Sequence, residues 1–206
     1  MFLLNRRRFL NNIWQVLTIT LISFFSSNKP SEAFNLFASK DKKFIVRPPA
    51  AIAENVFIKT CISCHLCGQA CPNDCIKYID DPFSPGLNDT PYIKPREKGC
   101  ILCMKCTQVC PTGALRYVPN DEGDTIQKYV KMGIAVVDKN ICKSYNKQSC
   151  GVCIRACPFA DVAIIAETWE RPVVINEKCV GCGLCEQACI HFPQAIRVKS
   201  VSVAHG

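Results

Sequence analysis

The feature that most limits how this chain can fold is a run of four cysteines that occurs four times. Two runs have the full spacing C-x-x-C-x-x-C-x-x-x-C-P, the third widens its first gap, and the fourth lacks the proline. The runs are Cys61, Cys64, Cys67 and Cys71; Cys100, Cys103, Cys106 and Cys110; Cys142, Cys150, Cys153 and Cys157; and Cys179, Cys182, Cys185 and Cys189. They contain 16 of the 17 cysteines, so the fold must position these thiols for a common purpose.

This spacing is typical of iron–sulfur ligation. Thiolates at every third residue of a tight loop reach three corners of a [4Fe-4S] cluster. The loops also contain Gly68, Gly151, Gly181 and Gly183, which allow the backbone to approach a cluster closely. The four runs therefore predict four [4Fe-4S] clusters, with all sixteen run cysteines as iron ligands.

Three other uses of the cysteines fit less well. A disulfide framework needs no triplet spacing, and cysteines separated by two residues pair poorly with each other. Zinc sites use separated C-x-x-C pairs. Residues 61–65 match the C-x-x-C-H motif for haem attachment, but no other run carries a histidine there. We therefore expect His65 to lie near a cluster and His191 and His205 to have no functional role.

Cys75 is the one cysteine outside the runs. It aligns with Ala114 of the second run, which favours a small buried residue, since free cysteine packs as a small apolar side chain. A role as a substitute ligand stays open. Tyr78 and Tyr117 each follow the last cysteine of their run by seven residues, and both are predicted to be core residues over a cluster.

The order of segments resembles that of a bacterial two-cluster ferredoxin. A β-prone stretch follows every run, two more precede the last two runs, and a short helix is expected to start between the third and fourth cysteine of each run. The predicted class is α+β, with tandem two-cluster ferredoxin-like modules that depend on their cofactors for stability. The β-prone stretches are 76–79, 115–118, 134–137, 162–166, 173–175 and 195–203.

The resemblance to two-cluster ferredoxins also implies a crossed pairing, in which the fourth cysteine of one run binds the cluster of the partner run. The first cysteines of paired runs are 39 and 37 residues apart, which supports two similar modules. The implied ligand sets are Cys61, Cys64, Cys67 and Cys110 for cluster 1; Cys100, Cys103, Cys106 and Cys71 for cluster 2; Cys142, Cys150, Cys153 and Cys189 for cluster 3; and Cys179, Cys182, Cys185 and Cys157 for cluster 4.

The residues before the first run predict export from the cytoplasm. Arg6 and Arg7, followed after one residue by Phe9 and Leu10, resemble the twin-arginine signal. The apolar stretch 13–25 is short for a membrane span, which needs about 20 residues. We place signal cleavage after Ala33, with an uncleaved anchor left open. Residues 34–54 are then a tether, 55–118 and 133–203 the two modules, and 119–132 a linker.

Several flanking segments are similar to the MauM/NapG family of ferredoxin-type proteins. They are the twin-arginine start, Arg-Pro-Pro-Ala at 47–50, Thr-Pro-Tyr-Ile at 90–93, Met-Gly-Ile-Ala-Val at 132–136, and the wide gap from Cys142 to Cys150. The resemblance implies a periplasmic protein with four [4Fe-4S] clusters. It also implies electron flow from a membrane quinol dehydrogenase towards a periplasmic enzyme, such as nitrate reductase, or a cytochrome. Ile190 after Cys189 and the extra Cys75 depart from the pattern.

The residues themselves favour an electron-transfer protein over an enzyme, because the sequence has no nucleophile–base motif, phosphate loop or dinucleotide fingerprint. Two alternatives stay open: the iron–sulfur subunit of a molybdenum oxidoreductase, and a maturation factor for a periplasmic redox enzyme. Nucleic acid is not an expected partner because basic residues are scattered, whereas peripheral membrane association stays open. The formal charge of +8 falls to +5 without residues 1–33, and four clusters of about −2 each lower it to about −3.

Overall fold

The computed structural model describes residues 45–81, 86–119 and 123–200. The predicted signal peptide with Arg6, Arg7, Phe9 and Leu10 lies outside the described residues, as do the tether up to residue 44 and His205. None of the helices in the described ranges is long and apolar enough to cross a membrane.

Short helices and strands alternate with the cysteine loops, and no described element exceeds seven residues. The helices are α1 Glu54–Thr60, α2 Leu66–Gln69, α3 Lys105–Gln108, α4 Gly123–Tyr129, α5 Val152–Arg155 and α6 Leu184–Ala188. The strands are β1 Ile76–Tyr78, β2 Pro91–Ile93, β3 Gly133–Val137, β4 Ile164–Glu167, β5 Arg171–Val174 and β6 Ile196–Ser200. Two 3₁₀ turns cover Ser144–Asn146 and Thr168–Glu170. This mixture is the predicted α+β class.

The strands form three antiparallel ribbons of two strands each within the described residues. β1 pairs with β2, β4 with β5, and β3 with β6. The last ribbon joins the segment before the third run to the segment after the fourth, and Ala135 lies opposite Val198 in its register. It therefore holds both ends of the second module together.

The first module lacks the equivalent ribbon, so the predicted strand at 115–118 is wrong. Its two ends meet only at an isolated bridge between Ala51 and Leu115. The N–H of Ile52 donates to the carbonyl of Ala114 at 3.1 Å, and the chain then enters α1. The pairing stops because the opposing segment becomes helical. Tyr117, predicted to pack over a cluster, is instead 70% exposed.

Other elements differ from the sequence prediction in position. The short helices after the loops begin two residues after the second cysteine of each run and include the third, so they start earlier than predicted. β2, α1 and α4 were not predicted, and α4 lies inside the predicted linker. Ile126 of α4 is buried, as are Val130 and Met132 just after it. Burial of these apolar side chains explains why a largely polar segment becomes ordered.

The main apolar core crosses the boundary between the two predicted modules. It includes the fully buried Phe57, Met104 and Val130, and also Val180 and Cys182 from the loop of the fourth run. A smaller core lies below the third and fourth runs. It contains Ala135, Ile154, Ile164, Cys185 and Ile196. Cysteines are thus part of both cores, so the packing of both cores depends on the group that the thiols bind.

The end of the predicted tether packs against the first module through Arg47, which is 6% exposed. Its Nε donates to a carboxylate oxygen of Glu54 at 2.9 Å, and its Nη1 donates to the hydroxyl of Thr90 at 2.9 Å and the carbonyl of Pro91 at 2.7 Å. The guanidinium also lies 4.7 Å from the centre of the Phe57 ring. One buried cation therefore joins the start of α1 to β2.

Replacing Arg47 with alanine should destabilise the first module by about 2 kcal/mol, because it removes hydrogen bonds from a charged donor to the buried Thr90 and Pro91 and to the partly exposed Glu54. We expect anaerobic guanidinium denaturation, followed by the visible absorbance of the bound clusters, to show a lower midpoint. Arg116→Ala removes an exposed guanidinium of equal charge and is the matched control. Equal midpoints for the two variants would contradict the structural role of Arg47.

Candidate iron–sulfur cluster sites

Each cysteine run folds as a loop that curls around an open space before a short helix. The residue after the second cysteine of each run is left-handed and precedes the helix. These residues are His65 (φ 64°), Met104 (φ 54°), Gly151 (φ 54°) and Gly183 (φ 83°). In three runs the residue before the second cysteine is left-handed as well. These residues are Ser63 (φ 51°), Leu102 (φ 59°) and Gly181 (φ 73°). Backbone turned in this way points successive N–H groups into a concavity that favours anions.

Close packing of these runs depends on glycine at two places, one in the loop of the fourth run and one in helix α2. A Cβ atom on Gly181 would lie 2.3 Å from the backbone nitrogen of Gly133, and one on Gly68 would lie 2.2 Å from the hydroxyl of Tyr78. In the first two runs, however, His65 and Met104 adopt the left-handed conformation without being glycine. The loop geometry is therefore imposed by its surroundings as well as by glycine.

Cavity 1 brings together Cys61, Cys64 and Cys67 of the first run and Cys110 of the second. It has about 360 Å³ of empty space, counting its open mouth. Cys67 is buried and Cys64 is exposed, so one side of the site faces solvent. Desolvation opposes ionisation of Cys110, but hydrogen bonds led by the N–H of Leu115, at 3.4 Å from its Sγ, lower its pKa.

Cavity 2 brings together Cys100, Cys103 and Cys106 of the second run and Cys71 of the first, in about 290 Å³. Cys75 lines it as well. Burial raises the pKa of Cys106 to about 12. The N–H of Leu102 donates to the Sγ of Cys100 at 3.4 Å. The predicted spare cysteine thus lies at a site and not merely in the core.

Cavities 3 and 4 repeat this arrangement in the second module. Cavity 3 has about 370 Å³ and is lined by the thiols of Cys142, Cys150, Cys153 and Cys189. Cavity 4 has about 390 Å³ and is lined by the thiols of Cys157, Cys179, Cys182 and Cys185. Burial raises the pKa of Cys153 to about 12 and that of Cys182 to about 11. At each of the four cavities, three thiols of one run meet the fourth cysteine of its partner run.

The residues at these cavities suit a [4Fe-4S] cluster. Within the described ranges, no group of three or more His, Cys, Asp or Glu side chains is arranged to hold a single metal ion. The thiols are instead spread around each cavity, as a cubane needs, because each of its irons takes one cysteine sulfur. Burial disfavours free thiolates, so a cationic partner such as iron is required to hold the buried sulfurs in their ionised form.

Two further side chains lie at the cavities: His191, which was expected to have no functional role, and Tyr78, which was predicted to lie over a cluster. His191 lines cavity 3, and its Nε2 is buried without a hydrogen-bond partner in the described structure. A cluster in that cavity would supply sulfur acceptors for this atom, which further supports the fit. Tyr78 lines cavity 1, stacks on His65 with ring centres 3.9 Å apart, and donates to the carbonyl of His65 at 2.9 Å.

Comparisons with known proteins agree with this geometry. A 4Fe-4S dicluster domain matches residues 60–114 and 99–160, and a 4Fe-4S binding domain matches residues 172–191. These matches confirm the predicted ferredoxin-like fold class.

Three relatives are similar over most of the chain. The ferredoxin-type protein NapG of Escherichia coli K12 is 38% identical over 173 residues, covering 78% of this chain and 73% of that protein. The methylamine utilization ferredoxin-type protein MauM of Methylorubrum extorquens is 35% identical over 172 residues, covering 78% and 75%. MauM of Paracoccus denitrificans is 37% identical over 161 residues, covering 74% and 70%.

Proposed function

Because this chain belongs to the family of ferredoxin-type [4Fe-4S] proteins that includes NapG and MauM, we propose that it is a periplasmic electron relay with four [4Fe-4S] clusters. The chain is an iron–sulfur electron-transfer protein that works with redox partners and is not itself an enzyme. The number four is supported by one observation above all: four separate cavities, each lined by four run cysteines.

The residues of the chain provide binding, insulation and charge compensation for these cofactors. Each [4Fe-4S] cluster supplies reversible one-electron chemistry when bound. The run cysteines hold the iron, and apolar neighbours such as Phe57, Leu115 and Ile196 limit access of water. Backbone N–H groups of Leu102 and Leu115 point at ligand sulfurs at 3.4 Å, where they offset negative charge.

The contact between the two modules supports a continuous path for electrons. The N–H of Cys100 donates to the carbonyl of Cys182 at 2.7 Å, so a ligand residue of cavity 2 bonds directly to a ligand residue of cavity 4. Arg96 strengthens the contact by donating to the carbonyl of Cys189 at 2.7 Å. We propose that clusters 2 and 4 form the inner pair and clusters 1 and 3 the ends. The exposed Cys64 at cluster 1 makes that end accessible to a partner.

The physiological route is proposed from family membership and from the residues at the start of the chain. The twin-arginine pattern supports export of the folded, loaded protein to the periplasm. We propose a membrane quinol dehydrogenase as the electron donor and a periplasmic redox enzyme, such as nitrate reductase, or a cytochrome as the acceptor. Cross-linking in membranes, followed by reduction of the loaded protein with quinol, tests the donor. Failure of both tests would refute this donor.

Iron analysis tests the cluster number directly. Protein purified without oxygen should contain about 16 iron atoms and 16 sulfides per chain, because four cubanes hold four of each. Redox-titrated EPR should then show magnetic interaction between clusters once several are reduced. A value near eight irons, in protein shown to be fully loaded by reconstitution, would contradict the four-cluster proposal.

A further inference from the structure

Cavity 2 holds one thiol more than a [4Fe-4S] cluster needs. Besides the four run cysteines it is lined by Cys75, which is only 3% exposed. The Sγ of Cys75 lies 3.6 Å from the Sγ of Cys71, within the range of a hydrogen bond between sulfurs. Cys100 lines the same cavity. The extra sulfur therefore lies within hydrogen-bonding distance of a ligand thiol of cluster 2.

The equivalent place in cavity 1 shows what is particular to Cys75. Ala114 aligns with it, lines cavity 1, and is 1% exposed. Both positions follow the fourth cysteine of their run by four residues and so reach the partner cluster. At cavity 1 the methyl group of Ala114 fills this position, so a ferredoxin-like module of this kind does not need a sulfur at it for packing. A thiol adds a donor that alanine lacks.

We propose that Cys75 remains a thiol in the loaded protein and donates its S–H to a ligand sulfur of cluster 2, raising the reduction potential of that cluster. This inference rests on the four-cluster function proposed above. Ligand thiolates can only accept hydrogen bonds, whereas a free thiol is a weak donor. Reduction adds negative charge to a cluster, and a hydrogen bond to its sulfur stabilises that charge, so the potential rises. Cys75 acts through the ligands and is a positioning residue.

The test compares Cys75→Ala, Cys75→Ser and Ala114→Cys with the unaltered protein, all purified without oxygen. Cys75→Ala should keep its full iron content, lower the midpoint potential of one cluster, and remove one exchangeable proton coupling from the pulsed EPR spectrum of that cluster. Cys75→Ser should keep an exchangeable proton coupling, because a hydroxyl also donates. Ala114→Cys should raise the potential of a different cluster and add a new exchangeable coupling.

Each other outcome overturns the inference. If Cys75→Ala loses about four iron atoms, Cys75 is a ligand and not a donor. If its potentials and proton couplings match those of the unaltered protein, the thiol has no effect on the cluster. The proposed function is tested by the unaltered protein alone. About 16 irons there, together with an unchanged Cys75→Ala variant, would overturn only this inference.

Discussion

Complete removal of iron should abolish the cooperative unfolding transition of this protein. No described element exceeds seven residues, the ribbons have two strands each, and both cores include cysteines from the cavities. Empty cavities would leave buried thiols and unfilled space at four places. Binding of a structural metal contributes about 10–16 kcal/mol in zinc fingers, which equals or exceeds the total stability of a typical domain, about 5–15 kcal/mol. We therefore expect the iron-free chain to be largely unfolded.

Circular dichroism during thermal and denaturant unfolding measures this effect. The iron-free chain must be kept reduced, since seventeen free cysteines would otherwise form disulfides. The control is the same preparation after anaerobic reconstitution with iron and sulfide, which should regain a sigmoidal transition. A sigmoidal transition in the reduced, iron-free chain would show that the polypeptide alone determines the fold.

Substituting Cys71 should disturb the cluster held by the first three cysteines of the second run. The cluster held by the first three cysteines of its own run should stay intact. Cys71 lines cavity 2 with Cys100, Cys103 and Cys106, although it is the last cysteine of the first run. Cys71→Ser should therefore lose up to four of about 16 irons, and its EPR spectrum should match that of Cys103→Ser. Cys64→Ser serves as the reference for a lost cluster 1 because Cys64 lines cavity 1.

The matched control is Cys75→Ser, which makes the same chemical change at a thiol of the same cavity. It should retain all of its iron, because Cys75 lies outside the four run cysteines. A Cys71→Ser spectrum that matches Cys64→Ser would contradict the crossed arrangement. The reciprocal variant Cys110→Ser should match Cys64→Ser, which gives a second and independent measurement.

The spacing of the cysteines within each run was sufficient to predict the kind of cofactor. It is a property of local covalent geometry: residues three apart in a tight loop must present their thiols to one side. The α+β class and the ferredoxin-like modules follow from the same repeat. The β-prone stretches also located β1, β3, β4, β5 and β6 to within a few residues, because they are rich in β-branched and aromatic side chains.

The sequence did not predict what depends on distant segments. The strand at 115–118 fails because its partner turns into α1, and Tyr117 is exposed as a result. Non-glycine residues such as His65 take left-handed conformations that their own propensity disfavours. Arg47 reaches partners more than forty residues away, which no local pattern indicates.

The sequence by itself thus determined the cofactor class and the residues that can bind it, because the cysteine spacing within each short run indicates the kind of cluster. The crossed placement of the fourth cysteines was already implied by the resemblance to two-cluster ferredoxins. Only the tertiary structure decided that Cys100 bonds to Cys182 and that Cys75 and His191 line cavities. Such contacts join segments far apart in the chain. They depend on how loops, ribbons and the shared core pack together, and that packing has no signature in any single segment.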